Sequence, residues 1–185
     1  MTIKIDYDFI SSKEGGRKLE GYVPAVAVSN SGVTIATGFD LGQRNKLDLI
    51  KLGISQPLTQ KLLPYLSLKK NDALKALKKS PLKVTPSEAL QIDKSVKSQQ
   101  IIVLVAKYNS ATKTGVLFAD LPSEAQTVIA SVAFQYGDNL STRTPDFWDA
   151  ATRQDWKMLI LELRNFGDMY PTRRNSEADL LEKIK

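Results

Sequence analysis

Hydrophobic residues recur three or four positions apart in two stretches of the chain, which is the spacing of one face of an α-helix. The first stretch contains Ala125, Val128, Ile129, Val132 and Tyr136. The second contains Trp156, Leu159, Ile160, Leu163 and Phe166. We interpret both stripes as faces that pack into a core rather than as cofactor sites, because amphipathic packing is the common reason for such spacing.

Residues that start and stop helices predict the remaining helical segments. A first helix over residues 6–13 has Asp6 or Asp8 near its start and ends at Gly15-Gly16. The sequence Thr85-Pro86-Ser87-Glu88 matches a capping box and predicts a helix from about 86 to 108. The other predicted helices span residues 43–52, 56–66, 70–79, 122–137, 144–151 and 152–166, and a last one starts at about Asn175 after a break at Pro171.

Two segments rich in β-forming residues predict a hairpin. They span residues 22–28 and 33–39 and flank Ser29-Asn30-Ser31-Gly32, a sequence typical of turns. Residues 80–84 are the best candidate for a linker. The chain therefore predicts a predominantly helical α+β fold, with a small lobe at about 15–84, a helical lobe at about 1–14 and 96–185, and a helix from about 86 that joins them. We expect a binding cleft between the lobes.

The composition limits the chemistry. The 185 residues include neither cysteine nor histidine, which removes thiolate catalysis, disulfides, the commonest metal ligand and the commonest acid/base group. Any reaction must therefore use carboxylates, hydroxyls or amines, and we expect no metal and no cofactor. Phosphate-loop, serine-elbow and zinc-ligand motifs are also missing from the sequence.

The positive charge is concentrated in one segment. Residues 43–80 hold nine Lys/Arg against Asp48 and Asp72, a net charge of +7, so the rest of the chain carries −1 of the total of +6. Such a face would attract a polyanion, but a solvated helix surface explains it equally well. Neither a membrane span nor a signal peptide is expected, because the longest apolar run is only Ile101 to Ala106 and residues 1–6 lack the basic start and apolar stretch of a signal.

Three side chains near the amino terminus suggest glycosidase chemistry. Glu14 follows the first predicted helix, and the predicted return strand carries Thr34 and Asp40. Glycosidases use two carboxyl groups, one to protonate the leaving oxygen and one to activate water or attack the sugar. Taken alone this spacing is weak, because most Glu and Asp residues are surface charges.

The same residues resemble a known family. Glu14-Gly15 with Thr34-Ile35-Ala36-Thr37-Gly38 resembles the catalytic glutamate and the Thr-Ile-Gly-x-Gly strand of phage-type lysozymes. The longer pattern of Gly21-Tyr22-Val23-Pro24 with residues 31–42 is similar to the lysozyme-like toxin domain of pesticin and related antibacterial effectors. Residues 132–137, Trp156 and Pro171-Thr172-Arg173 continue the resemblance over nearly the whole chain, which implies a lysozyme-like fold.

The resemblance implies a role for each matched residue. Glu14 would be the general acid, Asp40 the second carboxylate and Thr34 the hydroxyl that positions the attacking water. Arg173, with Arg174 as the adjacent alternative, resembles an arginine that pairs with the catalytic glutamate. Gln135 and Tyr136 would contact or support the sugar.

One departure leaves the second carboxylate open. In phage lysozymes the catalytic aspartate comes nine residues after the glutamate, and here that position is Val23. The pesticin-like pattern places it six residues after the threonine, at Asp40. Glu20 remains a rival, and a turn cap is the alternative role for Asp40.

The resemblance implies a muramidase that hydrolyses the β-1,4 bond of peptidoglycan with inversion, as an antibacterial toxin in the periplasm or cell wall of a target bacterium. The resemblance implies glycan strands and an immunity protein as partners, and no nucleic acid. The route to the cell wall is open between three alternatives. The protein could be delivered by another protein or a secretion machine, be cut from a longer polypeptide, or be an endolysin that needs a membrane pore. The alternative is a module on the same fold that binds cell wall or another polyanion without cleaving it.

Overall fold

The computed structural model describes residues 2–24 and 29–184. These residues form two compact units: a helical unit, Met1–Ile10 with Ser98–Lys185, and a sheet unit, Ser11–Lys97. The predicted α+β fold, mostly helical with a small antiparallel sheet, is confirmed. Within the described residues, no helix is long and apolar enough to cross a membrane.

Helices make up most of both units. The described residues contain α1 Tyr7–Lys13, α2 Lys46–Lys51, α3 Gln56–Leu62, α4 Lys70–Lys79, α5 Pro86–Ala111, α6 Ser123–Tyr136, α7 Leu140–Arg143, α8 Pro145–Arg153, α9 Trp156–Arg164 and α10 Pro171–Leu181. The strands are β1 Lys18–Tyr22, β2 Thr34–Ala36 and β3 Phe39–Asp40, and they form one antiparallel sheet in the order β1-β2-β3.

The predicted starts of two helices, α1 and α5, are confirmed by their capping hydrogen bonds. The Asp6 carboxylate accepts hydrogen bonds from the backbone N–H groups of Asp8 and Phe9 at the start of α1, both at 2.9 Å. Thr85 and Glu88 form the capping box of α5, with the Thr85 N–H donating to Glu88 at 2.7 Å and the Glu88 N–H donating to Thr85 at 3.2 Å. Local sequence therefore fixes where these two helices begin.

Other predicted boundaries were wrong. The last helix begins at Pro171 rather than Asn175, because proline suits the first helical position, where its missing N–H costs no hydrogen bond. Helix α5 continues to Ala111, three residues beyond its predicted end at about 108. Helix α9 is capped by Asp155, whose carboxylate accepts from the Met158 N–H at 3.0 Å.

The predicted strands were also partly wrong. The first strand is β1, not residues 22–28, and residues 25–28 lie outside the described part of the chain. The predicted return strand is split into β2 and β3 by a turn at Thr37 and Gly38. Ala36 and Gly38 cause this break, because both have left-handed backbones, with φ of +53° and +80°, which an extended strand does not contain.

The predicted linker at residues 80–84 lies against the edge of the sheet. The Gly21 N–H donates to the Leu82 carbonyl, and the Val84 N–H donates to the Leu19 carbonyl, each at 2.9 Å. Leu82 and Val84 are buried, as the alternation of apolar and polar residues in a half-buried strand requires. The linker prediction was wrong because proline at 81 and serine at 80 masked this short alternation.

Each unit has its own hydrophobic core. In the sheet unit, β2, β3 and the buried faces of α2 and α3 pack with the first part of α5; the largest fully buried side chains there are Ile35, Leu41, Leu49, Leu58, Leu62 and Ile92. In the helical unit the core surrounds α6, where Val128, Ile129 and Val132 are buried as their spacing predicts.

Candidate active site

Glu14 is held by a lysine within the sheet unit. It follows α1 directly, and Gly15 and Gly16, with φ of +86° and +79°, turn the chain away behind it. The Lys97 ammonium donates to both carboxylate oxygens, at 2.8 Å to Oε2 and 3.0 Å to Oε1. The two side chains are only 23% and 13% exposed, so water screens this pair less than it screens pairs on the open surface.

A second ionic contact lies one helical turn earlier on α5. Asp93 is 4% exposed and accepts from the Arg17 guanidinium Nε at 2.7 Å. It also accepts from the Thr37 backbone N–H at 3.0 Å and from the Thr37 hydroxyl at 2.8 Å. Because the Thr37 hydroxyl gives its hydrogen to Asp93, the Thr37 oxygen accepts a hydrogen bond from the Ser11 hydroxyl, at 2.8 Å. Asp93 therefore ties the turn between β2 and β3 to α5.

Asp40 ends β3 and caps the 3-10 turn Leu41–Gln43. Its Oδ1 accepts from the Gly42 N–H at 2.8 Å and from the Gly32 N–H at 3.0 Å. The alternative role considered for this residue, a turn cap, is therefore present. It uses one oxygen only: in the described residues, Oδ2 accepts no hydrogen bond. A capped carboxylate with one available oxygen can still act as a base.

The two backbones that Asp40 joins are in close contact. A Cβ added at Gly42 would lie 2.6 Å from both the Gly32 Cα and the Leu68 carbonyl oxygen. A Cβ at Gly32 would lie 2.2 Å from the same Leu68 oxygen. Only glycine fits at either position, since the neighbouring atoms belong to the backbone and cannot rotate away.

We expect Gly42→Ala to lower the free energy of unfolding by about 3 kcal/mol, the upper end of the usual overpacking cost, because the backbones must separate. Urea unfolding would measure this difference. Gly21→Ala is the matched control: its Cβ would meet only side-chain atoms, of Leu82, Val33 and Leu77, at 3.0–3.2 Å. These contacts are longer than the 2.6 Å contacts at Gly42, and the Leu77 methyl group can shift. The control should therefore lose less stability, and equal losses would contradict the backbone contact as the cause.

Thr34 lies directly opposite Asp40 in the antiparallel pairing of β2 and β3. Such partners have Cβ atoms about 4.5–5.5 Å apart on the same face of a sheet. The Thr34 hydroxyl donates to the Gly32 carbonyl at 3.3 Å, and the residue is buried. The structure therefore brings together the predicted hydroxyl and the predicted second carboxylate.

A cavity of about 160 Å³ opens beside Asp40. Its lining is contributed by the β2–β3 turn, the 3-10 turn and α5: Thr37, Gly38, Phe39, Asp40, Gln43, Arg44, Asp93, Val96 and Lys97. At about 30 Å³ per water molecule, it has room for about five waters. The cavity therefore combines a carboxylate, a lysine and an arginine in a space suited to water or to part of a larger ligand.

Arg44 adds a second cation to this cavity. Its guanidinium carbon lies 5.4 Å from the centre of the Phe39 ring, an attractive cation–π geometry. Its Nε is buried and has no acceptor among the residues that the structure describes. Arg44 is thus fixed by stacking while part of its donor capacity is unused.

Glu20, the rival second carboxylate, has a different environment. It lies in β1 and pairs with Lys83 at 2.8 Å, with side chains 71% and 70% exposed. The hydrogen bond from Lys83 and the lysine charge hold the pKa of Glu20 below its usual range. Glu20 lines none of the cavity beside Asp40, so the geometry within the sheet unit favours Asp40.

Gln135 and Tyr136, predicted to contact sugar, belong to a buried ionic network in the helical unit. At its centre is Arg174, 1% exposed, which donates to Asp168 at 2.8 Å and also to Glu177 and Gln135. The Arg174 guanidinium carbon lies 4.5 Å from the centre of the Phe166 ring. The Tyr136 hydroxyl donates to Asp168 at 2.7 Å.

Mutual contacts determine the ionisation of this network. Burial alone would raise the pKa of Asp168, but hydrogen bonds from Tyr136 and Arg174 outweigh it and hold that pKa below its usual value. Burial would likewise lower the pKa of Arg174, yet Glu177 and Asp168 raise it. Burial and the bond to Asp168 raise the pKa of Tyr136. Asp168 and Arg174 are therefore both ionised at neutral pH.

Arg173 lies beside this network. Its Nε donates to Glu177 at 3.1 Å, and its Nη2 donates to the carbonyl and hydroxyl oxygens of Ser131, both at 3.0 Å. Glu14 belongs to the sheet unit and Arg173 to the helical unit, so their pairing stays a prediction. The adjacent alternative, Arg174, is committed to Asp168 and Glu177.

Other parts of the structure carry less chemistry. A cavity of about 430 Å³ in the helical unit is lined by Trp148, Leu140, Lys107 and Asp138 among others, and it contains none of the predicted site residues. In residues 2–24 and 29–184, no group of three or more acidic side chains could hold a metal ion. The predicted site in the sheet unit is therefore the best supported one.

The sequence analysis missed Lys97, Asp93, Thr37 and Arg44. The spacing of Asp93 and Lys97, four residues apart on a predicted helix, offered a weak signal, because it places two opposite charges on one face. Their partners, however, lie 76 and 83 residues earlier in the chain. Periodicity contains no information about contacts at that separation.

Comparison with known families identifies the chain over most of its length. A family model described as "Pesticin: Bacterial toxin homologue of phage lysozyme, C-term" matches residues 4–157. The matched range contains Glu14, Thr34, Asp40, Gln135 and Tyr136 and ends before Arg173. A comparison with curated protein sequences finds no match.

Proposed function

The chain belongs to the pesticin family of bacterial toxin domains homologous to phage lysozyme, and from this premise we propose that it is a peptidoglycan hydrolase. The proposed activity is that of an N-acetylmuramidase, which cleaves the β-1,4 glycosidic bond between the amino sugars of the bacterial cell wall. The observation that carries the proposal is the family match across a segment in which Asp40 faces Thr34 beside a polar cavity.

The proposed reaction needs one acid and one base. Glu14 donates a proton to the glycosidic oxygen as the bond from that oxygen to the anomeric carbon breaks. Asp40 removes a proton from a water molecule whose oxygen forms the new bond to the anomeric carbon, and Thr34 orients this water. The attack comes from the face opposite the leaving group, so the product has the inverted anomeric configuration.

The geometry around Asp40 supports its assignment as the base. Asp40 keeps Oδ2 available while Oδ1 is fixed by two backbone N–H groups, so the carboxylate is held in place without being fully used. The adjoining cavity has room for about five waters, including one that could attack the sugar. Glu20 does not line this cavity, and its side chain is 71% exposed.

Digestion of purified peptidoglycan tests the proposal. Mass spectrometry of the released fragments should show N-acetylmuramic acid at the new reducing end, and NMR of the fresh product should show the inverted anomer. Fragments with N-acetylglucosamine at the reducing end would identify a different glycosidase. If wild-type protein releases no soluble fragments, the proposed activity is wrong.

Asp40→Asn should lower the turnover number about 100-fold, because an amide cannot accept the proton of the attacking water. Asparagine keeps a carbonyl oxygen that can accept from the N–H groups of Gly32 and Gly42, and it is a favoured cap residue. The variant should therefore unfold at nearly the wild-type temperature. Turnover near the wild-type value, measured by fragment release, would show that Asp40 is not the second carboxylate.

A second candidate function is binding of cell wall or another polyanion without cleavage. It is favoured by six lysines between residues 43 and 80 that make no ion pair with any described residue. These are Lys46, Lys51, Lys69, Lys70, Lys78 and Lys79. A protein of this kind would sediment with peptidoglycan and release nothing, and it would lose affinity steeply as salt is added.

The proposed biological setting follows from the family. As an antibacterial toxin, the protein would act on the cell wall of a target bacterium, and the producing cell would need an inhibitor. Protection of cells by a co-produced immunity protein that blocks fragment release would support this setting. Toxicity when the protein is directed to the periplasm, and none when it stays in the cytoplasm, would support the site of action.

A further inference from the structure

We propose that Lys97 is a positioning residue for the Glu14 carboxylate, and that Asp93 and Lys97 together fix how the segment around Glu14 docks on α5. This inference rests on the proposed muramidase function, in which the acid must be aimed at the glycosidic oxygen. It adds two residues of the first half of α5 to the three assigned from the family resemblance.

The geometry around Glu14 creates the need for such a residue. Gly15 and Gly16 follow Glu14 and both have left-handed backbones, so the chain turns sharply directly after Glu14. The Glu14 side chain itself has three rotatable bonds. A glutamate side chain can adopt many rotamers, and a partner that is itself held in place selects one of them. Lys97 supplies this partner by donating to both oxygens from a residue that is itself 13% exposed.

The order of charged residues determines how the segment around Glu14 docks on α5. Glu14 and Arg17 present a negative and then a positive charge, whereas Asp93 and Lys97 present the complementary charges one helical turn apart. The observed pairs are Glu14 with Lys97 at 2.8 Å and Arg17 with Asp93 at 2.7 Å. Exchanging the partners would bring like charges together, so the charge pattern excludes the reversed arrangement.

The same helix face also holds the turn between β2 and β3, which lines the candidate site. Asp93 accepts both polar hydrogens of Thr37, and Thr37 lines the cavity together with Asp40 and Lys97. One turn of α5 therefore connects the segment that carries the acid with the turn that precedes the base. Loss of Lys97 should misplace the acid and leave the base in position.

The sheet unit contains a matched control for this ion pair. Lys83 and Glu20 lie at the same distance, 2.8 Å, but both side chains are at least 70% exposed. A pair in open water contributes little, since both charges remain solvated when it breaks. Lys83→Met thus removes the same charge and the same type of bond from a place where no catalytic role is proposed.

The experiment compares Lys97→Met, Lys97→Arg and Lys83→Met in fragment release from peptidoglycan. Lys97→Met should lower kcat about 10- to 100-fold with KM unchanged, because a misplacement of about 1 Å costs about 100-fold in rate. Lys97→Arg, which keeps the charge and the donors, should recover most of that loss. Lys83→Met should match the wild type.

Each result of this comparison either supports or overturns the positioning role of Lys97. Wild-type kcat in a folded Lys97→Met variant, or an equal loss in Lys83→Met, overturns the positioning role while the proposed function stands. A change in KM alone would make Lys97 a substrate contact and would also overturn it. An inactive wild type overturns the proposed function first, and this inference with it. If Lys97→Met fails to fold by circular dichroism, Lys97→Gln takes its place under the same criteria.

Discussion

The Glu14→Gln variant should release peptidoglycan fragments about 100 to 10,000 times more slowly than the wild type, the range expected when a general acid is removed. Glutamine has nearly the same shape, but its amide has no acidic proton to give to the leaving oxygen. Its amide oxygen can still accept from Lys97, so the local structure should persist. Chromatography of soluble muropeptides over time measures the rate.

Glu20→Gln is the control for that experiment. It makes the same chemical change six residues away, at a side chain that is 71% exposed and paired only with Lys83 among the described residues. This variant should keep the wild-type rate. If Glu20→Gln loses activity and Glu14→Gln retains it, the assignment of the acid is wrong.

The same variant separates cleavage from binding. Glu14→Gln should still sediment with insoluble peptidoglycan, because the substitution leaves the lysines of residues 43–80 unchanged. A wild type that binds equally well and also releases fragments is a hydrolase. A wild type that only binds supports the second candidate function.

Arg174→Met should destabilise the helical unit by about 3–5 kcal/mol, the usual cost of leaving buried charges without their partner. Arg174 is 1% exposed and donates to Asp168 and Glu177, which would both stay in the core without their strongest donor. For a chain of this length, each kcal/mol corresponds to about 2–4 °C, so the melting temperature should fall by about 6–20 °C. Differential scanning calorimetry measures the change.

Arg164→Met is the matched control for Arg174→Met. Arg164 also pairs with two carboxylates, Asp179 at 2.6 Å and Glu182 at 2.9 Å, but these groups lie at the surface. Water solvates them after the substitution, so the melting temperature should hardly change. A large loss in this control and none in Arg174→Met would contradict the central role of the buried network.

Acid titration gives an independent measure of the same network. The folded-state pKa of Asp168 lies below its usual value, so the stabilisation is complete above that usual value. It is lost as the pH falls through the lower, folded-state pKa. Arg174→Met removes one cause of the shift, and its stability should therefore depend less on pH in this acidic range than that of the wild type.

Helix starts were the best predicted part of the fold. The cap at Asp6 and the capping box of Thr85 and Glu88 act over three residues, so the sequence contains all the necessary information. The stripe from Ala125 to Val132 is buried as predicted, but residues 125–133 of α6 are buried on every side, which the spacing of the stripe did not predict. Local hydrogen bonds and one-dimensional periodicity are enough to determine such elements.

The sheet was predicted less well, because its pairing depends on distant residues. β1 is mostly exposed and lacks the apolar alternation of a half-buried strand. Its place in the sheet comes from pairing with β2 and from contact with residues 82–84. Neither partner can be identified from the sequence of β1 itself.

In the candidate site, too, the sequence pattern identified some residues and missed those that depend on distant contacts. The six-residue spacing from Thr34 to Asp40 singled out two residues that prove to be neighbours across β2 and β3. Lys97 and Asp93 were missed because a lysine or aspartate on a helix is usually a solvated surface charge. Only their burial and their distant partners distinguish them. Family resemblance thus reached the residues assigned to the reaction but not the helix that supports them.

The contact between Gly32 and Gly42 closes residues 33–41 into a small ring of fixed circumference. One inserted residue inside the ring would shift Asp40 out of register with Thr34 and turn its side chain to the other face of the sheet. Additions before Gly32 would leave the circumference unchanged. The ring therefore makes the spacing between Thr34 and Asp40 insensitive to the number of residues that precede Gly32.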